Sequence, residues 1–585
     1  MTYTPHGMEP SPSPQPESAT APRPPFRWPL WTAAVLSAVL LELPFPIAGP
    51  MPLWRSIFAW FGLVPLLWAV LSPRCARQPR PLRTGFLVAY LCGILWYMGN
   101  CYWVRDTMAR FGDMPLFAPT LLLLGFSLVL GLYFGLFGLG LAFVQKATGS
   151  TRLALLFAPF LWTALELAAA HITSVPWDQL GYSQVDNGLV NQLAPWTGVY
   201  GITFGIILVN SALAGALLLE RTSWSREPKF EISRFIELRK ADSFSCAVGG
   251  VALFLTAFAG LADAPPEAST SATAVLIQPN LDVGNTGYWN GPGEWASHIA
   301  QFTQLAEESC KSYIAGIPQT GAQTVDVSCY YPQHTDLVVW PEAPAPFFEN
   351  DPRFQQAMPQ IARTVQAPII VNGIGSEPSG DGGFHDYVSA MIFDASGQEI
   401  GRYDKMHLVP FGEYIPFARL LFFAHKLTGK VSAFTPGETR KVFHLDGPDG
   451  QTHRYGVFIC YEAVFADEVR QFAKLGAEVL VNLSDDGWYG DTSAPWQHLN
   501  MARMRAIENR RWLLRDTNDG VTAVIDPYGR VRQSIPRHRV DALPAQFGFR
   551  DDITFYTAHG DVFAWLCVIL SAGAVFWSWN KRRSS

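Results

Sequence analysis

The chain has 585 residues, which is too many for one ordinary core, so we expect at least two structural units. Hydrophobic residues make up 49% and charged residues only 16%, a balance typical of a protein that lies partly in lipid. The net charge of -6 is small and no long basic block occurs, which excludes an electrostatic footprint for nucleic acid. None of the 8 cysteines has a C-x-x-C or Cys/His spacing, so no structural zinc site is predicted.

The first 26 residues are rich in Pro, Ser and Thr and poor in apolar positions, so residues 1–26 are predicted to be a flexible tail. Eight apolar segments follow, each long enough to cross about 30 Å of hydrocarbon. They lie at about 29–48, 53–72, 85–104, 116–145, 153–171, 196–219, 245–263 and 561–579. An even number of spans puts both termini on the same side of the membrane.

Lys and Arg in the loops set the orientation of these spans, because basic residues in short loops are retained in the cytoplasm. They cluster after the second, fourth, sixth and last spans, at Arg74, Arg77, Arg80, Arg83, Lys146, Arg152, Arg221, Arg226, Lys229, Arg234, Arg239, Lys240, Lys581, Arg582 and Arg583. The opposing loops hold only Arg55, Arg105 and Arg110. Both termini are therefore expected in the cytoplasm. The alternative, that the first span is a cleaved signal peptide, lacks a small-residue cleavage site and would upset this alternation.

Between residues 266 and 548, short β-rich runs alternate with helical patterns, which is the arrangement of an α/β domain. Buried strands are predicted at 274–278, 336–340, 368–372, 456–460 and 478–482. Helices are predicted at about 292–315, 352–365, 463–474 and 496–510. Because this domain lies between the last two spans, we expect it outside the cytoplasm, in an oxidising compartment.

Cys310 and Cys329 lie in this domain, within a stretch of Gly, Gln, Thr and Ser that looks like an insertion. We predict that they form a disulfide, which would stabilise the fold by about 3 kcal/mol by closing the loop. The alternative is a pair of free thiols in a flexible loop.

Three chemically suggestive side chains follow predicted strands. They are Glu342 in Trp-Pro-Glu, Lys405 in Asp-Lys-Met-His-Leu-Val-Pro, and Cys460 in Cys-Tyr-Glu. A free cysteine has a pKa near 8.5, so it needs a base or a positive charge close by to act as a nucleophile. Glu342 would accept the thiol proton, and Lys405 would stabilise the thiolate and then the oxyanion, a role worth about 3 kcal/mol per donor. Each residue alone is weak evidence, since a lone cysteine after a strand is usually a small core residue.

The order of these motifs, followed by Asn-Leu-Ser-Asp-Asp-Gly-Trp at 482–488, resembles the nitrilase superfamily, whose sites are Glu-Lys-Cys triads. With seven spans before the domain and one after it, the chain resembles the apolipoprotein N-acyltransferase family over about residues 29–580. The resemblance implies an α-β-β-α sandwich and makes Glu342, Lys405 and Cys460 the catalytic residues. It divides the chain into a seven-span membrane domain at 27–265, a periplasmic nitrilase-like catalytic domain at 266–548, and a last span with a cytoplasmic tail at 549–585.

The same resemblance adds four supporting positions. Trp289 would line the route by which lipid or acceptor reaches the site, and Glu413 would hold Lys405 in place. Tyr461 and Glu462 would shape the acyl and amine pockets beside the nucleophile. Trp289 is one of 20 tryptophans, and ordinary packing is the alternative for it.

Three further features of the domain bear on the site. Relatives commonly have Asn-Asp before the Gly-Trp, whereas this chain has Asp485 and Asp486, so the hydrogen bonds of that loop are in doubt. His407 and His498 are more often structural in such positions and are assigned no role. The segment 415–430 mixes aromatic and aliphatic residues with bases, which suits a lid that dips into the outer leaflet; a helix packed within the domain is the alternative.

The predicted reaction is a ping-pong acyl transfer. Cys460 would attack the ester of a phospholipid, phosphatidylethanolamine by resemblance, and the resulting thioester would be attacked by the amine of a lipoprotein's N-terminal diacylglyceryl-cysteine. No metal or organic cofactor is expected, because an ester is already an activated acyl donor. The resemblance implies a bacterial inner-membrane protein, and we expect a monomer. Two alternatives are a membrane-anchored amidase that passes the acyl group to water and a transporter whose external domain binds a ligand.

Overall fold

The structure is a computed structural model of the whole chain. It describes residues 28–112, 115, 117–220, 249, 266–283, 292–307, 313–314, 325–326, 335–342, 347–380, 382–414 and 434–584. The predicted tail at 1–26, the predicted span at 245–263 apart from residue 249, and the whole of the predicted lid at 415–430 lie outside these residues.

Apolar helices form the first part of the chain and its last element. They are α1 (Trp28–Glu42), α2 (Val64–Leu71), α3 (Pro73–Ala76), α4 (Pro81–Asn100), α5 (Trp103–Phe111), α6 (Phe117–Thr148), α7 (Thr151–Ile172), α8 (Ala194–Thr197) and α9 (Val199–Glu220), with 3₁₀ segments at Leu53–Trp60, Leu180–Gln184 and Val190–Leu193. Five more helices follow: α10 (Pro292–Glu307), α11 (Pro352–Val365), α12 (Ala466–Lys474), α13 (Ala494–Asn509) and α14 (Phe555–His559). The chain ends with α15 (Val562–Ser584).

Within the described ranges, 6 helical stretches are long and apolar enough to cross a membrane. They are Leu53–Ala76, Pro81–Asn100, Phe117–Thr148, Thr151–Ile172, Val199–Leu218 and Val562–Arg583. These match six of the predicted spans. The first predicted span, 29–48, is a shorter apolar helix of 15 residues, which at 1.5 Å per residue rises about 22 Å. The total of eight spans therefore stays a prediction.

The bundle is held by close approach of helices as well as by apolar contact. A Cβ atom at Gly138 of α6 would collide with the carbonyl oxygen of Gly85 and with the side chain of Ala89, both on α4. Small residues on both helices thus let the two backbones meet, which is how helices pack in lipid, where burying apolar side chains gives no driving force. Asn210 of α9 adds a polar contact, since it donates to the carbonyl of Ala59 at 2.9 Å.

The described strands between residues 272 and 547 form two sheets. The strands are β1 (Ala272–Gln278), β2 (Tyr313–Ile314), β3 (Val325–Asp326), β4 (Leu337–Val339), β5 (Ile369–Pro378), β6 (Phe384–Phe393), β7 (Glu399–Asp404), β8 (Val442–Asp446), β9 (Thr452–Ile459), β10 (Val479–Ser484), β11 (Trp512–Thr517), β12 (Ala523–Ile525), β13 (Val531–Ser534) and β14 (Asp541–Phe547). The first sheet has the order β14-β1-β4-β5-β6-β7, and the second has the order β3-β2-β13-β12-β11-β10-β9-β8. Parallel pairs occupy the centre of each sheet: β1, β4 and β5 in the first, and β9, β10 and β11 in the second.

The two sheets pack face to face, with helices on their outer faces. Leu276, Ile370, Val457 and Leu514 belong to one core between the sheets. A second core joins the outer face of the first sheet to α10 and α11, and α12 and α13 cover the second sheet. Central strands such as β10 are buried along their whole length, so they read as continuous apolar runs rather than as alternating patterns. The α-β-β-α sandwich predicted from the sequence is confirmed.

Helix α13 joins the sandwich to the helical bundle. Arg505 donates to the hydroxyl of Tyr182 at 3.0 Å, and the carboxylate of Glu508 accepts from the backbone N–H of Val199 at 3.1 Å. Both Arg505 and Glu508 are fully buried, and nearly every other residue of α13 is buried as well. One hydrophobic core runs from the membrane helices to Met501 and Ile507. The two parts of the chain therefore share a core.

Candidate active site

Cys460 lies at the carboxyl end of β9, in a sharp turn that begins the 3₁₀ segment Cys460–Val464. Its φ of 45° is in the left-handed region, which a residue with a side chain adopts only when its surroundings enforce it. The thiol is free and buried. A strained turn at the end of a central strand holds a side chain in a fixed direction, which suits a nucleophile.

Lys405 follows β7 directly and is fully buried. Its ammonium group donates to Glu413 Oε1 at 2.6 Å and to Glu342 Oε1 at 3.1 Å. The other oxygen of Glu413 accepts from the backbone N–H of Val409 at 2.7 Å, so Glu413 is fixed in turn. The family resemblance implied that Glu413 holds Lys405 in place, and the structure shows the two side chains in contact.

Glu342 comes shortly after β4, which lies in the same sheet as β7 and opposite the sheet that carries Cys460. Its Oε2 accepts from the backbone N–H of Asp485 at 3.1 Å. The charge of its carboxylate acts on the Cys460 thiol and helps to raise the pKa of that thiol. The structure thus brings Glu342, Lys405, Glu413 and Cys460 together, although they come from three separate stretches of the chain.

Burial and charge decide the protonation states in this cluster. Burial raises the pKa of Glu342; Lys405 opposes that shift and Glu413 reinforces it. Burial alone would lower the pKa of Lys405, but Glu342 and Glu413 raise it well above its usual value, so the group is an ammonium ion. Burial and the charge of Glu342 raise the pKa of Cys460 well above its usual value, against the opposing effect of Lys405. Cys460 at rest is therefore a neutral thiol, which requires a base before it can act as a nucleophile.

Glu462 joins the turn that carries Lys405 to the turn that carries Cys460. Its Oε1 accepts from the Tyr403 hydroxyl at 2.8 Å and from the backbone N–H of Met406 at 2.7 Å. Its Oε2 accepts from the backbone N–H of Ile459 at 2.7 Å. Both oxygens are thus engaged within the protein, which makes Glu462 a positioning group. The predicted share in a substrate pocket stays a prediction.

Tyr461 connects the site to the helical bundle. Its hydroxyl donates to the carbonyl of Ser174 at 3.0 Å, in the segment that follows α7. Its ring packs against Phe465 with centroids 5.2 Å apart. The residue next to Cys460 therefore contacts both parts of the protein.

Sequence reasoning missed the group of side chains behind Cys460. His498 of α13 has Nε2 3.1 Å from the carbonyl oxygen of Cys460, and its Nδ1 lies 3.0 Å from Asp486 Oδ1. Arg515 contacts both oxygens of Asp486, at 2.9 and 2.8 Å. A His-Asp-Arg set on three different elements has no local signature, so only the Asp485-Asp486 departure pointed at this region.

Three predicted positions cannot be compared with the structure. Trp289, Cys310 and Cys329 lie outside the described residues. Within the described part of the chain, no group of three or more His, Cys, Asp or Glu side chains is arranged to hold a metal ion.

Comparison with known proteins finds family models that match two parts of the chain. Residues 28–212 match the family model described as the apolipoprotein N-acyltransferase N-terminal domain, and residues 283–539 match the carbon-nitrogen hydrolase model. An apolipoprotein N-acyltransferase of Geobacter metallireducens is 33% identical over 540 residues, covering 92% of this chain and 92% of its own. The chain belongs to the apolipoprotein N-acyltransferase family.

Other relatives carry the same name. The apolipoprotein N-acyltransferase of Vibrio vulnificus is 30% identical over 561 residues, with 94% of this chain and 97% of that protein covered. That of Chlorobaculum tepidum is 28% identical over 566 residues, with 91% and 93% covered. Among solved structures, an amidase from Nesterenkonia sp. AN1 is 16% identical with a TM-score of 0.34 and covers 51% of this chain and 98% of its own. The C. elegans NitFhit protein is 19% identical with a TM-score of 0.33, covering 51% and 65%.

Family membership identifies the activity. The protein is an acyltransferase of lipoprotein biosynthesis that N-acylates lipoproteins, so it takes an acyl group from a lipid donor. It is a bacterial inner-membrane protein, in keeping with its apolar helices.

Proposed function

We propose that Cys460 is the nucleophile of a ping-pong transfer in which Glu342 is the general base and Lys405 stabilises the oxyanion. The observation that carries the proposal is the Lys405 ammonium group, held by Glu342 and Glu413 at 3.1 and 2.6 Å beside a buried thiol. A fully buried ammonium ion with fixed partners needs no reorganisation when negative charge develops next to it, which is the condition for strong electrostatic stabilisation.

In the first half-reaction the Cys460 sulfur attacks the acyl carbonyl of a phospholipid, and the thiol proton passes to Glu342. Lys405 faces the oxygen that becomes negative in the tetrahedral intermediate. Collapse of that intermediate breaks the ester C–O bond, and the released lysophospholipid oxygen takes the proton back from Glu342. The raised pKa of the Cys460 thiol supports this order, since proton transfer must accompany the attack rather than precede it.

In the second half-reaction the α-amine of a diacylglyceryl-cysteine attacks the thioester. Glu342 accepts the amine proton, Lys405 again faces the oxyanion, and the C–S bond breaks as the amide forms. The leaving thiolate takes that proton from Glu342, so the thiol and the carboxylate return to their starting states and the cycle closes. Each group thus performs the same task in both halves, which requires no movement of the triad.

The proposal extends to substrates and topology. Phosphatidylethanolamine is the proposed donor and a monomer the proposed state. The distribution of Lys and Arg in the loops supports a catalytic domain at 266–548 on the periplasmic side, between a membrane domain at 27–265 and the last span in 549–585. Trp289 is proposed to line the substrate route, and Tyr461 and Glu462 to border the pockets.

Mass spectrometry of the intact enzyme tests the mechanism. Incubation with phosphatidylethanolamine in mixed micelles should add one acyl mass to the wild type, and a diacylglyceryl lipopeptide should remove it faster than water does. Cys460→Ala should neither acquire the mass nor acylate the lipopeptide. Transfer at the normal rate by Cys460→Ala would refute the thioester, and equally fast discharge by water alone would identify a membrane-anchored amidase.

A further inference from the structure

The turn that carries Cys460 is held from behind by His498. Cys460 has a φ of 45°, and its carbonyl oxygen lies 3.1 Å from His498 Nε2. A carbonyl oxygen only accepts hydrogen bonds, so Nε2 carries the ring proton and donates it. Together with the bond from the Ile459 N–H to Glu462, this contact ties down both sides of the strained residue.

The second ring nitrogen of His498 faces a buried charge pair. Arg515 Nη2 lies 3.2 Å from Nδ1, and the same guanidinium holds both oxygens of Asp486. His498, Asp486 and Arg515 are all fully buried. In the neutral ring Nδ1 accepts from Arg515, and in a protonated ring it would donate to Asp486 Oδ1, 3.0 Å away; in both forms Nε2 carries the proton that the Cys460 carbonyl requires.

The face of the His498 ring is covered by the helical bundle. Trp177, in the segment between α7 and α9, stacks on the ring with centroids 6.0 Å apart and planes at 26°. Its indole N–H donates to Gln497 Oε1 at 2.8 Å, and Gln497 in turn donates to Asn100 Oδ1 at 2.9 Å. Two neighbouring residues of α13 thus contact the bundle and the nucleophile turn at once.

We propose that His498 is a positioning residue that couples the seating of Trp177 to the orientation of the Cys460 thiol. The inference rests on the proposed role of Cys460 as nucleophile. A left-handed turn relaxes unless its surroundings enforce it, and relaxation would move the sulfur away from Glu342 and Lys405. Misplacement of a reacting atom by about 1 Å lowers a rate about 100-fold. A shift of Trp177 would therefore be transmitted through His498 to the chemistry.

Two substitutions of His498 separate this role from a merely structural one. The amide nitrogen of Gln reaches the position of Nε2, whereas that of Asn reaches only the position of Nδ1. We expect His498→Asn to slow Cys460 acylation by phosphatidylethanolamine about 100-fold, and His498→Gln to restore it to within about 5-fold of wild type, at similar Tm. Leu499→Val, a buried change one position along α13, is the control and should leave the acylation rate of the folded enzyme unchanged. Equal rates in the Asn and Gln variants would overturn the proposal.

The link to Trp177 is tested by a double-mutant cycle on the acylation rate, with phosphatidylethanolamine in mixed micelles as the donor. Trp177→Leu removes the stack and the indole donor; Trp177→Phe, which keeps a ring, replaces it if the Leu variant does not fold. Because Trp177 acts through His498, either change should slow the wild type but not further slow His498→Asn. If the Trp177 substitution slows His498→Asn by the same factor as it slows the wild type, the two residues act independently and the coupling is refuted. A normal rate in His498→Asn alongside an inactive Cys460→Ala would refute this inference alone, whereas an active Cys460→Ala would refute the proposed mechanism itself.

Discussion

The carboxylate of Glu462 accepts a hydrogen bond from the backbone N–H of Met406 at 2.7 Å. Met406 directly follows Lys405, and Glu462 lies in the turn that begins at Cys460, so one side chain fixes the distance between the proposed nucleophile and the proposed oxyanion donor. Removing a buried acceptor of this kind leaves several backbone donors without a partner, which is more costly than losing one bond.

Glu462→Gln should therefore lower the free energy of unfolding by about 3 kcal/mol or more, since bonds to a charged acceptor contribute about 1.5–3 kcal/mol each. The amide can replace one oxygen but points a donor at the other N–H groups. Thermal unfolding of the purified enzyme in detergent measures the change. Glu468→Gln is the matched control: it breaks partly exposed pairs with His407 and Arg440 and should change stability by less than about 1 kcal/mol. If Glu462→Gln also lowers the free energy of unfolding by less than about 1 kcal/mol, Glu462 does not hold the two turns together as described.

Glu413→Gln should shift the pH dependence of acylation. The base must be unprotonated, so the rate rises as pH rises through the raised pKa of Glu342. Glu413 contributes to that upward shift, so its neutralisation lowers the pKa of Glu342 and moves the acid limb to lower pH. The plateau should fall about 10-fold, because Lys405 loses an anchor. Single-turnover acylation measured across pH gives both values. The control is Glu377→Gln, whose side chain is more than half exposed on the same sheet; it should leave the acid limb of the pH profile unchanged. An acid limb that moves to higher pH in Glu413→Gln would disprove the proposed effect of Glu413 on the pKa of Glu342.

Asp485→Asn should stabilise the protein in a pH-dependent way. Asp485 is buried, and burial, Asp519 and Glu342 raise its pKa well above the usual value. Its Oδ2 has no hydrogen-bond partner within the described residues. An acid with a raised folded pKa contributes its full stability below the unfolded pKa, near 3.9, and loses it as pH rises toward the folded pKa. The Tm advantage of the Asn variant should thus be absent near pH 4 and grow with pH, and a constant difference would exclude this cause.

The neighbouring change, Asp486→Asn, should have the opposite effect. Burial raises the pKa of Asp486, but Arg515 and His498 lower it by more, so it is a carboxylate at every working pH. Losing it leaves the fully buried Arg515 without its counter-charge, which is expected to lower the free energy of unfolding by about 3–5 kcal/mol. Thermal unfolding of the two Asn variants side by side checks the contrast, and similar Tm values would contradict it.

Arg505→Met tests the join between the sandwich and the bundle. Arg505 is buried between Glu508, at 3.0 Å, and the Tyr182 hydroxyl, at 3.0 Å. Its removal leaves the Glu508 carboxylate uncompensated and should lower stability by about 3–5 kcal/mol, and adding Glu508→Leu should recover part of that loss. Tm values of the two variants in detergent provide the measurement. A double variant less stable than Arg505→Met would show that the pair itself is not what matters.

Much of the fold follows from sequence because its signals are local. The buried run at 479–484 and the capped helix Pro352–Val365 each carry their pattern within a few residues, and the predicted bounds lie within one or two residues of those found. Strands such as β8 were missed, since alternating burial over five residues is weak and its pairing with β9 is needed to define it.

The candidate site likewise contains some residues that the sequence indicates and others that it does not. Glu342, Lys405 and Cys460 stand in recognisable motifs, so the sequence could identify them as candidates. Their proximity depends on how the two sheets pack face to face, which the sequence does not show directly. Glu462 and His498 bind mainly backbone atoms, several of them in residues that are distant in sequence. Every residue has the same backbone groups, so no sequence motif indicates such a contact. Their roles appear only once the chain is folded.

The burial of α13 on nearly all its faces also bears on how the enzyme can be made and handled. A water-soluble fragment cut from residues 266–548 would expose Met501, Met504 and Ile507 to solvent, would deprive Arg505 of its Tyr182 partner, and would tend to aggregate. In the folded protein these side chains depend on the preceding bundle to cover them. Detergent or nanodisc preparations of the full chain are thus the appropriate starting material for study.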